Sequence, residues 1–253
     1  MKLKAWIAGS ALLGSALAWA EDTASAPSSQ PLIANDSDRF FPLTESAAVP
    51  SAFVRAHTTG SAGSSNAFSV GQSVEIVPLQ RLSVRATAEF ALQTGFTPSA
   101  QAKYQLLEQA TANVNLSAGL RYKQQGFLGT RGEGETEAFV SVGRSFGRFV
   151  ATANLVGGLN VADPKEGDWE THLSLGYQPI DKLMVGVSGR YRQAFGPDAE
   201  FFPDERRFEL IAGPVVGYAL GLVDVSLQYG LYVPRGVNLP AGQMGVLGVN
   251  LNF

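Results

Sequence analysis

The sequence predicts an all-β protein: a transmembrane antiparallel up-and-down β-barrel of about twelve strands, with short turns at one end and longer loops at the other. Three observations predict it. Apolar residues recur with period two through most of the chain after residue 48. The connections between those stretches alternate between short and long. The composition is thin in charge, at 16%, where a soluble domain carries about 25%, and rich in glycine, with 28 in 253 residues. Mean hydropathy of +0.05 is too polar for a bundle of membrane helices, and a barrel gives a much weaker apolar signal per segment than a helix bundle does.

The first twenty residues form an address. Lys2 and Lys4 precede an apolar run from Ala5 to Trp19, which ends in Ala18-Trp19-Ala20 and turns acidic at Glu21-Asp22. A basic start, a short apolar stretch and a small-x-small end are the marks of a cleaved secretory signal, so residues 1–20 are expected to be removed after Ala20. Residues 21–47 are rich in Ser, Ala, Pro and acid, with no sustained period. Such a composition buries too little apolar surface to offset its ordering entropy, and a flexible acidic periplasmic tail is expected. Its exception is Arg39-Phe40-Phe41-Pro42-Leu43, where Phe40 and Phe41 offer a plug or a docking point for a periplasmic or envelope-complex partner.

From 48 to 253 the chain reads as the barrel. Val84, Ala86, Ala88, Phe90 and Leu92 alternate with Ser83, Arg85, Thr87 and Glu89; Trp169, Thr171, Leu173, Leu175 and Tyr177 alternate with Glu170, His172, Ser174 and Gly176. Successive strand side chains point to opposite faces, so each stretch has one apolar and one polar face. Strands are expected near 51–58, 66–77, 82–94, 100–108, 113–123, 135–146, 149–161, 169–178, 183–194, 207–218, 222–233 and 243–253. The apolar run from Leu210 to Val223 is too short for a spanning helix and reads as two strands meeting near Ala219-Leu220-Gly221. Short connections (Pro78 to Arg81, Gln109 to Ala112, Gly147-Arg148, Pro179 to Lys182) alternate with polar, Gly- and Pro-rich ones (Gln124 to Gly134, Phe195 to Arg206, Pro234 to Gly242). An outer-membrane barrel has short periplasmic turns and long outer loops, with both termini returning to the periplasm when the count is even; a soluble sandwich has no such alternation. With that orientation, Phe68, Tyr122, Trp169, Tyr191 and Phe208 fall at the outer rim, and Phe149, Tyr177, Tyr218 and Phe253 at the inner one. Arg144 has outward parity near the periplasmic end, where it can snorkel to headgroups.

The C-terminus, Gly245-Val246-Leu247-Gly248-Val249-Asn250-Leu251-Asn252-Phe253, resembles that of bacterial outer-membrane barrel proteins as a class. The resemblance implies an insertion signal, with Gly248, Leu251 and Phe253 at its glycine and apolar or aromatic positions. Val246 stands where a polar residue is usual. It also implies outer-membrane lipid as the surroundings and the barrel assembly machinery as a partner during insertion.

The inward parity has two halves. On the periplasmic side it is largely small, with Ser117, Ser141, Gly143, Ser145, Ser174, Gly176, Gly186, Ser188, Gly213 and Gly217. Inside a backbone radius of roughly 12 Å, these predict an open, water-filled lumen. On the outer side it is charged, and Glu170, His172, Arg190, Arg192, Arg207 and Glu209 are expected to form a constriction near the outer mouth. Register predicts Glu75 near Arg85, and Glu170 near Arg190 and Arg192.

The composition excludes several functions. A net charge of −3 gives no footprint for nucleic acid. With no cysteine there is no disulfide framework and no thiolate metal site. The chain has only two histidines, no nucleophile motif, no metal-ligand spacing and no phosphate loop, so neither catalysis nor a cofactor is expected. Two functions remain: a narrow porin-like channel for small hydrophilic solutes, and a structural barrel in a multi-protein trans-envelope machine of the polysaccharide-export or surface-motility type.

Overall fold

The computed structural model describes residues 39–64, 67–92, 95–125, 133–164, 166–196, 205–237 and 239–253. The expected signal sequence and most of the expected tail lie outside them.

The strands are β1 (Val54–Gly63), β2 (Phe68–Leu79), β3 (Leu82–Ala91), β4 (Gly95–Leu107), β5 (Asn115–Gln125), β6 (Glu133–Phe146), β7 (Phe149–Asn160), β8 (Gly167–Ile180), β9 (Leu183–Phe195), β10 (Glu205–Arg206), β11 (Phe208–Ala219), β12 (Val223–Val233), β13 (Gly236–Val237) and β14 (Gly242–Asn252). Twelve of them close into one barrel, each pairing antiparallel with its neighbours and β14 returning to β1; β10 and β13 form a separate two-residue pair in the loops. Barrel strands run from 10 to 14 residues. A tilted strand crosses a bilayer in about 9–11. Closure matters because, in lipid, an open sheet edge would leave backbone groups without partners.

All twelve expected strands are present, within a few residues of their expected ends. One expected turn differs: Gln109–Ala112 forms a single helical turn, α1, ended by Asn113 in the left-handed region (φ 61°). That region is open to Asn because its short side chain tolerates it. The short connections expected from the sequence lie at one end of the barrel, the short-turn end; the other end carries the long connections after β5, β9 and β12, together with the short ones of β1–β2 and β3–β4.

The outward face carries the apolar set read from the sequence. Leu120, Leu155, Leu173, Val187 and Leu227 stand exposed on it between two aromatic rims. At the long-loop end Trp169, Tyr191 and Phe208 pack ring against ring across β8, β9 and β11, one pair tilted and one stacked, with ring centroids 5.2 and 5.7 Å apart. At the short-turn end Phe146, Phe149 and Tyr177 do the same at 5.7 and 4.9 Å. Exposed apolar side chains in a continuous band mean that lipid is their solvent. Arg144 is exposed on the same face near the short-turn end.

Candidate functional site

The lumen is not open where the sequence suggested it would be. Residues 39–50 lie inside the barrel and fill its short-turn half, so this part of the expected flexible tail is instead the best-buried stretch among the described residues. Phe40 and Phe41 are 1% and 0% exposed.

The segment enters at the short-turn end. Arg39 grips Asp224 on β12 through two hydrogen bonds of 2.6 and 2.7 Å, and Asn250 on β14 donates to the Arg39 carbonyl at 3.1 Å. Phe40 and Phe41 then pack among Val150, Met184, Val215 and Ala219. The segment turns with the Thr44 N–H donating to the Phe41 carbonyl at 3.0 Å. Its apex is fixed by His172, whose Nδ1 contacts the Leu43 carbonyl, and by a 2.5 Å hydroxyl contact between Thr44 and Ser174. Glu45 crosses to the opposite wall. Its carboxylate accepts from Arg85 at 2.6 Å, and the Asn154 carboxamide accepts from its N–H and donates to its carbonyl at 2.9 and 2.8 Å. The chain descends with Lys103 donating to the Ser46 carbonyl at 3.2 Å and the Val49 N–H donating to Gln105 at 3.0 Å, and runs on into β1.

The inward glycines explain why the segment fits. A Cβ on Gly217 would sit 2.5 Å from the Phe40 ring, one on Gly176 2.8 Å from Phe41, one on Gly143 3.1 Å from Ala47, and one on Gly248 3.2 Å from Pro42. The small residues that read as a wide pore are the floor of a groove that the chain itself occupies. No local signal could have shown this, because the partners lie as much as 211 residues apart.

Above the apex is a cavity of about 400 Å³. Its floor is Phe41 to Glu45, and its walls run up to Ser69, Ala91, Thr97 and Lys123 near the long-loop end. Of the expected constriction, Glu170, His172, Arg190, Arg192 and Glu209 all line it; the expected approach of Glu170 to Arg192 is present, while Arg190 pairs with Glu209. His172 meets Glu170 at 3.0 Å, Arg192 lies 3.3 Å from Glu170, and Arg190 bonds Glu209. Arg207 does not join them: it precedes β11, is exposed, and is not among the lining residues. The expected narrowest point therefore moves, because the lumen is obstructed at its short-turn half and the charged belt stands above that obstruction. Phe40 and Phe41 lie in the segment that fills that half.

Two features of the lumen escaped the sequence. Beside the charged wall, with Ile211 in register with Arg190, Ile211, Tyr232, Met244 and Val246 form an inward apolar cluster with Ala67, against which Leu43 packs. Their parity was readable, but their apolar character hid them among lipid-facing residues. The carboxylates of Glu135, Glu137 and Asp168 also lie within 4.8 Å of one another. Lys123 bridges to Glu135 and Glu137, Arg121 bonds Glu137, and Arg192 bonds Asp168. Three cations thus answer three carboxylates, and the donor set reads as an ion-pair network that stiffens β5, β6, β8 and β9. Gly248 and Leu251 of the C-terminal pattern take opposite faces of β14: Gly248 faces inward against Pro42, and Leu251 pairs with Ala56 of β1 and Val223 of β12.

The closed twelve-stranded barrel, the apolar band with aromatic rims and the charged interior define the class: an integral outer-membrane β-barrel. No protein-family model matches the chain, and no curated protein matches it in sequence. Solved structures share its fold. The NanC porin superposes with a TM-score of 0.62 at 9% identity, covering 78% of this chain and 100% of that one. A KdgM porin gives 0.57 at 6% identity, over 79% of this chain and 99% of that one. An outer membrane channel from Pseudomonas putida F1 gives 0.55 at 10% identity, over 81% and 97%. At such identities the likeness is one of fold.

Proposed function

We propose that the chain is a narrow porin-like channel for small hydrophilic solutes, closed in this conformation by its own segment 39–50. In this reading the signal is cleaved after Ala20, the short-turn end and both termini face the periplasm, and the assembly machinery reads Gly248, Leu251 and Phe253 during insertion. The observation that carries it is the segment's mode of attachment. It pairs with no strand and is held by side-chain contacts to a polar, glycine-floored lumen. Such a seat can be vacated while the barrel's backbone hydrogen bonds stay intact. The cavity above it, charged on one side and apolar on another, is what the lumen offers a solute.

Recording in a planar bilayer tests the proposal. The full mature chain is expected to be nearly silent, and deletion of residues 21–47 to open it. Replacing Arg190 and Arg192 with Ala is expected to change little while the segment remains. A chain that stays silent after the deletion ends the channel reading.

That outcome would leave the second reading, a structural barrel in a multi-protein trans-envelope machine, which the filled lumen itself favours. In it, residues 21–47 are the docking element for periplasmic or envelope-complex partners. Co-purified partners lost on deleting 21–47 would support it.

A further inference from the structure

Glu45 occupies its place in the lumen as a ligand occupies a site. Its Oε1 accepts from Arg85 at 2.6 Å, and its Oε2 faces Lys103 at 3.9 Å. The Asn154 carboxamide reads the backbone of the same residue by accepting from its N–H and donating to its carbonyl. Carboxylate and amide are thus recognised by separate groups, on β3, β4 and β7. None of these groups is itself part of the segment.

Withdrawal of the segment would unbalance the local charge. Arg55, Arg85 and Lys103 cluster around Glu75, with Arg55 at 2.8 Å, Arg85 at 2.7 Å and Lys103 at 3.8 Å. The Arg55, Glu75 and Lys103 side chains are no more than 2% exposed. Withdrawal of Glu45 takes one carboxylate away from Arg85 and Lys103. Glu89, two inward positions further up β3, lines the cavity above rather than this cluster. A poorly hydrated cation that loses a carboxylate partner favours another anion in its place. On the other side of the lumen the segment's Arg39 answers Asp224 in the same way, so the segment carries one charge to each of two waiting sites.

We infer that Glu45 is a tethered stand-in for a solute. When segment 39–50 withdraws, Arg85 and Lys103, backed by Arg55 and flanked by Asn154, become the binding site of the open channel. The ligand class is a small organic acid with an amide beside its carboxylate, of which an acidic short peptide is the plainest example. Arg85 and Lys103 take the carboxylate, and Asn154 takes the amide. The tether gives Glu45 a high effective concentration, so a free solute competes only when it is abundant or when the segment has been loosened. The inference rests on the gated-channel reading.

The test uses the full mature chain carrying Phe40→Ala and Phe41→Ala, which removes the apolar anchor of the segment and leaves every charge in place. The probe is N-acetyl-glutamate amide, and N-acetyl-glutamine amide is its neutral control. In a planar bilayer at about 0.1 M salt, the one positive charge uncovered when Glu45 leaves, at about 5 Å from the ion path, enriches anions about twofold. A chloride-to-potassium permeability ratio above one is therefore expected. The glutamate probe should block the current and the glutamine control should not. Adding Arg85→Gln and Lys103→Gln should remove both the selectivity and the block, while heat-modifiable gel mobility confirms a folded barrel. A conducting channel that prefers cations, or that ignores both probes equally, overturns the inference and leaves the gated channel standing. A chain that never conducts ends the channel reading instead. Calorimetric titration of the same two probes into Glu45→Gln/Phe40→Ala/Phe41→Ala protein in detergent then decides the site. Selective binding of the glutamate probe upholds it, and no binding overturns it.

Discussion

Arg39 and Asp224 meet inside the barrel, 185 positions apart in sequence, in a two-bonded pair whose aspartate side chain is fully buried. The pair fixes the point where the segment crosses the short-turn mouth. Both charges are held by good geometry, and Asn252 also donates to Asp224 at 2.8 Å. Cutting such a pair on one side leaves the other charge poorly solvated. Here that charge has an exit, because Arg39 belongs to a segment that can leave while Asp224 belongs to the wall.

Replacing Asp224 with Asn should therefore release the segment rather than unfold the barrel. Loss of one partner of a buried pair costs about 3–5 kcal/mol, which corresponds to at least about a hundredfold in the population of the released segment. Limited trypsinolysis of the detergent-solubilised protein reads this directly. Cleavage after Arg39 should be slow in the parent and accelerate strongly in D224N, with the barrel's heat stability little changed.

The same release can be forced from the wall without touching the segment. Gly217 faces the Phe40 ring so closely that even a Cβ would lie 2.5 Å from it. Overpacking a filled site costs about 1–3 kcal/mol, and a leucine exceeds what the groove can hold. Gly217→Leu should expel Phe40, raise bilayer conductance toward that of the 21–47 deletion, and speed cleavage at Arg39. Conductance unchanged from the parent would show that Phe40 does not help close the lumen.

The barrel was legible in the sequence and its contents were not, for one physical reason. Strand alternation is imposed locally by the pleat, so Val84 to Leu92 and Trp169 to Tyr177 announce both their conformation and their two faces. Hairpin register is set by short turns, and it brings Glu75 opposite Arg85 and Glu170 opposite Arg192 as expected. Segment 39–50 has no period, since it forms no repeating structure. Its order comes from complementarity to side chains on β3, β4, β6, β7, β8, β9, β11, β12 and β14. Gly176 or Ser174 seen alone is the same residue whether it faces water or Phe41 and Thr44. Arg207 departs from its expected place for a smaller reason: it stands one residue before the start of β11, where the chain is not yet pleated and parity has no meaning.

The aromatic rim at the long-loop end should contribute stability independently of the segment. Tyr191 packs at a tilt against Trp169 on one side and stacks on Phe208 on the other, at 5.2 and 5.7 Å. Each such pair contributes about 0.5–1.5 kcal/mol beyond its buried area. Tyr191→Ala removes both and should lower the temperature of the gel-mobility shift, while cleavage at Arg39 stays as slow as in the parent. Faster cleavage would mean that rim and segment are coupled through β9.

Locking the segment supplies the converse of releasing it. The Thr44 and Ser174 hydroxyl oxygens lie 2.5 Å apart, so the two side chains meet end to end as the arms of a disulfide do. They join the apex of the segment to the wall of β8. The chain has no cysteine of its own, so Thr44→Cys with Ser174→Cys introduces the only pair that can form. Oxidation should fix the segment in the lumen. Combined with Gly217→Leu, which alone is expected to open the channel, the oxidised disulfide should hold the current near the parent's level and a reductant should restore it reversibly. Current that flows equally in both redox states, with the disulfide confirmed by mass, would show that solutes pass without moving the apex and that the closure lies elsewhere in the lumen.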